Sequence, residues 1–252
     1  MYKEAMVHSD AAKWDVACKD EIYNFQQMGV YDMVLQPKGR KVVRSKWVLH
    51  IKHGPDSQVQ KYKAHIVTQG FTQVEGLDYN QTFAPVVKLS TFHTILTIAV
   101  QQNLTIYQMD IKVAYLNSKL KEEIYMEAPP SLEIPKGMVL QLNQAVYGTK
   151  QGSQVWYEDM CGTMAEIGYT RIKAEHAVFI WQRGNILSII TLYVDDFKLV
   201  GPSDSDDVRK DKETLKKYHM TNLGEISWIL SIHVMQDCVI PTEIFRGGIG
   251  AL

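Results

Sequence analysis

Three aspartates carry the strongest chemical signal in this 252-residue chain. Asp195 and Asp196 end its most apolar run, Ile186 to Val194, and Asp110 ends a second run, Thr105 to Met109. The first run is rich in Ile, Leu, Thr, Tyr and Val and reads as a buried strand. Desolvating an ionised carboxylate costs roughly several kcal/mol, and two side by side also repel each other. A divalent cation removes both penalties, and paired acids at a strand end suit Mg²⁺ in phosphoryl transfer. If the strands of Asp110 and of Asp195–Asp196 are neighbours, three carboxylates meet at one sheet edge. That is a two-metal site in outline: one ion activates a 3′-hydroxyl and the other stabilises a leaving pyrophosphate. Two plainer readings stand beside it, a solvated turn for the aspartate pair and a helix N-cap for Asp110.

The elements that must position these acids can be read from periodicity. Residues 10–28 suit an amphipathic helix capped by Ser9 or Asp10, with Trp14, Ala17, Cys18, Ile22 and Phe25 at roughly helical spacing. Strands are expected at 41–53 and 58–68 around the turn His53 to Ser57, then a loop over 70–88. A helix over 90–102 leads to the Asp110 strand, and a short helix over 112–120 follows it. Short strands at 124–127 and 139–142 flank a Pro-rich stretch. A helix over 153–167 closes at Gly168. Strands at 178–181 and 187–194 form a hairpin about Arg183 to Asn185. A polar helix over 204–218 and a strand near 226–234 complete the pattern. Mixed strands and helices with hairpins favour an α+β fold over a doubly wound sheet.

Composition sets the outer limits. With 46% hydrophobic and 22% charged residues, the chain is not largely disordered. No apolar stretch is long enough to span a bilayer and the N-terminus lacks a signal-peptide layout, so no membrane partner is expected. Cys18, Cys161 and Cys238 are few and widely spaced, which suggests neither a disulfide framework nor zinc and fits an intracellular compartment. The net charge is −1, yet Lys38, Arg40, Lys41, Arg44, Lys46, Lys52, Lys61 and Lys63 fall in one stretch with Asp56 as its one acid. Such clustering suits phosphate contact, and equally a solvated basic hairpin.

Gln108 to Asn117 and Leu192 to Asp196 resemble motifs of the reverse transcriptase of copia-type LTR retrotransposons. Ser45 to Val48, Lys61 to Ala64, Gly70 to Gln73, Asp78–Tyr79, Thr82 to Val86, Glu123 to Met126, Tyr147–Gly148, Lys150–Gln151, Trp156–Tyr157 and Leu223–Gly224 follow in the family's order. The resemblance runs from about residue 4 to about residue 236. It implies a right-hand polymerase of fingers and palm, the palm a ferredoxin-like antiparallel sheet with helices on one face, and the thumb lacking. A helical lead-in would occupy 1–30 and the polymerase domain 31–236. Fingers would take about 38–104 and 119–157, palm about 105–118 and 158–236, with an unrelated tail at 237–252.

By that resemblance the chain is an RNA-directed DNA polymerase, joining dNTPs to a primer 3′ end on an RNA or DNA template. Asp110, Asp195 and Asp196 would be catalytic and hold two Mg²⁺ ions. Tyr115 matches the residue packed beneath the incoming sugar, where an aromatic wall excludes a ribose 2′-hydroxyl. Gln151 matches a position near the nucleotide, and Lys63 and His65 lie in the finger stretch facing triphosphate or template. The expected setting is a cytoplasmic particle or the nucleus; oligomeric state is left open.

Several positions depart from the family. His65, His93 and Gln154 stand where arginine is usual, Ser118 and Ser231 where glycine is, and Ser153 where proline is common. His65 lacks the bidentate fork of arginine, which weakens phosphate contact. Lys198 puts a cation where an apolar residue is expected, and an exposed hairpin position explains it better than a counter-ion. Such exchanges, with the unmatched tail, suit a truncated or degenerate copy. The alternative function is therefore a catalytically inactive transposon remnant that at most binds nucleic acid.

Overall fold

Residues 2–53, 57–184, 186–203, 205–229 and 232–234 are described by the computed structural model of the chain. In chain order the elements are α1 (Tyr2–Ala5), α2 (Ala11–Gln27), β1 (Tyr31–Leu35), β2 (Val42–Val43), β3 (Ser45–His53), β4 (Val59–Thr68), α3 (Leu89–Gln101), β5 (Thr105–Ile111), β6 (Lys119–Met126) and β7 (Met138–Gln144). Then come α4 (Gly152–Glu166), β8 (Thr170–Arg171), β9 (Val178–Arg183), β10 (Ile186–Tyr193), β11 (Asp196–Gly201), α5 (Asp206–Leu215), β12 (Met220–Glu225), β13 (Trp228–Ile229) and β14 (Ile232–His233). The fold is α+β. Its residues group into two compact units, 1–84 with 113–160, and 85–112 with 161–252.

The first unit holds a four-stranded sheet of order β1-β7-β6-β2 and the separate β3–β4 hairpin. Helix α2 lies against β4, burying Trp14, Cys18 and Phe25. Cys18 and Phe25 join Trp47, Ala64 and Ile66 of the hairpin and Ile124, Met126, Leu140 and Leu142 of the sheet in one core. Along β4, Ala64, Ile66 and Thr68 are buried while Lys61 and Lys63 are exposed, the alternation a half-covered strand must show. The end of β4 crosses the Tyr147–Gly148 segment at very close range. Thr68 N donates to Tyr147 O at 2.8 Å and Gly70 N to Gly148 O at 3.1 Å. A Cβ on Gly148 would lie 2.1 Å from Thr68 O, and Gly148 has φ +90°, so only glycine fits there.

The second unit is built on a six-stranded sheet of order β12-β5-β11-β10-β9-β8, every pair antiparallel. Ser188 to Leu192 of β10 are all buried, as expected of a strand covered on both faces. Helix α4 ends in a Schellman motif: Tyr169 N donates to Met164 O, Gly168 N to Ala165 O, and Gly168 takes φ +90°. Ser205 caps α5 by accepting from Val208 N at 3.1 Å. Among the described residues no helix is long and apolar enough to cross a membrane.

Some expectations fail locally. Residues 112–120 are not one helix but a 3₁₀ turn at Ala114–Asn117 followed by β6. Val113 stands at φ 51°, a left-handed conformation that stops helix growth. Strands β1, β8, β11 and β12 were not legible. The strand expected near 226–234 is preceded by β12, which has little apolar periodicity and joins the sheet through its backbone pairing with β5. Parts of the turns at 53–57 and 183–185, with Ser231, Cys238 and the tail at 237–252, lie outside the described residues.

Candidate functional site

The three aspartates share the end of the second unit's sheet. Tyr193 pairs with Asp196, so β10 and β11 are joined by a two-residue turn of Val194 and Asp195. Val194 holds φ 55°, an outlier for a β-branched residue, and positive φ at the first turn position is the type II′ pattern that suits strand twist. Asp110 does not face β10, as neighbouring strands had suggested, but β11. Asp196 is its direct cross-strand partner, and Ile111 N donates to Asp195 O at 2.8 Å. The helix-cap reading of Asp110 fails because it lies inside β5.

The next pair along the same ladder is Gln108 opposite Lys198. Residues two apart on a strand share a face, so Asp110, Gln108, Asp196 and Lys198 form a polar rectangle. Gln108 Nε2 donates to Asp196 Oδ1 at 3.2 Å, and Lys198 Nζ makes a close ion pair with the same oxygen. The expectation that Lys198 is an exposed hairpin residue is overturned: it is 2% exposed, whereas the Asp196 side chain keeps 34%. Beyond that ion pair Nζ has no acceptor in hydrogen-bond geometry among the described residues. Burial pushes the Lys198 ammonium below its ordinary range, with Asp196 and then Asp110 acting in the opposite sense.

Asp196, Lys198 and Thr191 line a cavity of about 20 Å³ with Val87, Leu89 and Phe92. That is far too small for a nucleotide, which needs a pocket of a few hundred Å³ or an open face. Among the described residues no three His, Cys, Asp or Glu side chains are gathered closely enough to hold a metal ion. The fold thus assembles the acidic positions, while the side chains stand in an arrangement paired to lysine.

The other candidate residues belong to the first unit. Lys63 is exposed on β4 opposite His50. His65 shares its face, and its Nδ1 lies 3.3 Å from Glu21 Oε1, a buried carboxylate that also accepts from Ile66 N. Tyr115 is half-buried, its ring centroid 4.5 Å from that of Tyr147. Gln151 is only 1% exposed. Its amide accepts from Gln73 Nε2 at 3.1 Å and donates to Asp78 O at 2.8 Å and Glu122 Oε2 at 3.3 Å. Gln73 Oε1 in turn accepts from Lys150 N at 2.7 Å. Gln151 is a tie between the loop over 70–79 and the start of α4.

Sequence reading missed Gln108, Glu21, Gln73, Asp78 and Glu122, and misplaced Lys198. The signal for Gln108 and Lys198 was available, since each lies two residues from a key aspartate along its strand. No local signal marks Glu21, whose partner comes from a distant strand.

Residues 28–244 match the family described as Reverse transcriptase (RNA-dependent DNA polymerase), and the chain belongs to that family. Its relatives include copia-type Pol polyproteins. It is 33% identical over 239 residues to the retrovirus-related Pol polyprotein from transposon TNT 1-94 of Nicotiana tabacum, covering 93% of this chain and 18% of that protein. It is 32% identical over 193 residues to the Pol polyprotein from transposon RE1 of Arabidopsis thaliana, covering 75% and 13% respectively. The chain therefore spans less than a fifth of these relatives. A solved structure of the foamy viral protease-reverse transcriptase in complex with double-stranded DNA is similar over 85% of this chain and 30% of that one, at 12% identity and TM-score 0.39.

Proposed function

We propose that this chain supplies the polymerase function of a copia-type reverse transcriptase, adding dNTPs to a primer 3′ end on an RNA or DNA template. The observation that carries this reading is the direct pairing of Asp110 with Asp196, with Asp195 held beside them through its carbonyl. The palm would take about 105–118 and 158–236, mostly in the second unit, and the fingers about 38–104 and 119–157, mostly in the first. The donors suit a hard divalent cation in kind, and Asp110, Asp195 and Asp196 are the residues that would hold Mg²⁺. Two such ions, when bound, lower the pKa of the primer hydroxyl and neutralise charge on the leaving pyrophosphate.

The chain's own residues supply positioning. Lys61 and Lys63 project from the same exposed face of β4 and can attract phosphate at long range. Tyr115, braced by Tyr147, supplies the flat wall against which a deoxyribose fits and a ribose 2′-hydroxyl clashes. Gln151 acts through the loop it holds, because its amide is committed to protein partners. His65 faces Glu21, so the triphosphate contact falls to Lys63.

Primer extension on an RNA template with Mg²⁺, comparing wild type with Asp195→Asn, tests this reading. Incorporation by wild type alone is the expected result, and equal incorporation by both chains removes it. The Lys198–Asp196 contact favours a second reading, a remnant that binds nucleic acid without extending a primer. Salt-sensitive template binding without extension selects that one.

A further inference from the structure

We propose that Lys198 is a built-in competitor for the metal-binding oxygen of Asp196, so that this chain binds divalent cations more weakly than the same site without the lysine. This rests on reading the three aspartates as metal ligands. A carboxylate oxygen offers two lone-pair directions. At Asp196 Oδ1 Gln108 Nε2 donates at 3.2 Å, and the Lys198 ammonium makes a close ion pair with the same oxygen. A cation reaching that oxygen has to displace a donor first.

Lys198 cannot easily swing aside. Its strand is hydrogen-bonded on both sides, with Gln108 opposite in β5 and Thr191 opposite in β10. Its side chain is 3% exposed, so leaving Asp196 without reaching water would strand Nζ among Val87, Leu89 and Phe92. Removing the amine instead leaves Asp196 with solvent on one side and Gln108 on the other. The obstacle is displacement of a seated group from a crowded oxygen.

The test is binding of Mn²⁺, an oxygen-preferring ion visible by electron paramagnetic resonance, to the full chain. Four proteins are compared: wild type, Lys198→Met, and each carrying Asp196→Asn. Lys198→Met is expected to bind Mn²⁺ about tenfold more tightly or better, because a fixed cation no longer opposes the ion at contact distance. Asp196→Asn should abolish that gain. Mn²⁺ should also raise the melting temperature of Lys198→Met at concentrations that leave wild type unmoved. Lys198→Gln, polar and uncharged, is read in the same way where the methionine variant does not fold. Equal affinity in wild type and both lysine variants, still weakened by Asp196→Asn, overturns the role of Lys198 and leaves the metal site standing. Binding insensitive to Asp196→Asn in every chain overturns the metal-site reading, and this proposal with it.

Discussion

Asp110 and Asp196 are direct partners across the β5–β11 ladder, yet the two carboxylates have unequal surroundings. Asp196 Oδ1 faces the buried ammonium of Lys198, and no comparable ion pair involves Asp110 among the described residues. Their asparagine variants should therefore separate. Asp110→Asn leaves stability nearly unchanged. Asp196→Asn leaves Lys198 buried without its anion and should cost about 1–3 kcal/mol, below the range for a fully buried pair because Asp196 is partly solvated. Urea unfolding measures both. The Asp196→Asn loss should largely vanish in a Lys198→Met background.

Gln151 gives a second expectation. Gln151→Ala removes hydrogen bonds to Gln73, Asp78 and Glu122 and leaves buried polar groups unsatisfied, a loss of about 2–4 kcal/mol. Gln151→Glu keeps the shape but turns an anion toward Glu122 and the Asp78 carbonyl. Its folded-state pKa rises, so the variant should be closest to wild type in acid and fall behind as pH increases through that value. Unfolding curves at about pH 5 and about pH 8 would show the divergence.

Two glycines separate backbone strain from steric clash. Gly29 and Gly148 both have positive φ, but a Cβ on Gly29 meets nothing within 4 Å while one on Gly148 meets Thr68 O. Gly29→Ala should cost roughly 1 kcal/mol. Gly148→Ala should cost roughly 3 kcal/mol or more, because the β4 crossing has to open. Thermal unfolding of the pair gives the comparison directly.

The Oγ of Ser118 is fully buried without a hydrogen-bond partner among the described residues. Ser118 has φ −109°, which alanine adopts freely. Ser118→Ala should raise stability by about 1 kcal/mol, since it removes a desolvated hydroxyl at little loss of packing. A melting temperature below wild type would show that the hydroxyl is satisfied in solution.

Asp211 provides the pH dependence. Tyr169 Oη lies 2.6 Å from Asp211 Oδ2 and 2.7 Å from Ser188 Oγ, and Ser188 donates to Val200 O. Burial pushes the Asp211 carboxyl above the usual 3.8, a shift the Tyr169 hydrogen bond opposes. A raised folded pKa means the native state holds the proton longer. The stabilisation is fully present below pH 3.8 and is lost as pH rises through the raised value. Wild type should thus lose ground to Asp211→Asn on going from acid to neutral pH. A pH-independent difference in unfolding free energy removes the assignment.

The residues of this protein determined which side chains were present to act, and local periodicity determined most of the elements carrying them. Helices α2, α3 and α4 were legible because their apolar spacing and end signals are local. The three aspartates stood out because acids beside buried strands need a reason. Strand partners are another matter. Residue 110 meets 196 through a ladder between distant segments, and β12 reached the sheet with no apolar pattern to announce it. Alternation puts Lys198 on the face of Asp196, but only packing decides whether that face is covered. Tertiary structure alone therefore turned Lys198 from a surface cation into a buried partner of the acid, and Gln151 from a nucleotide contact into a tie within the chain.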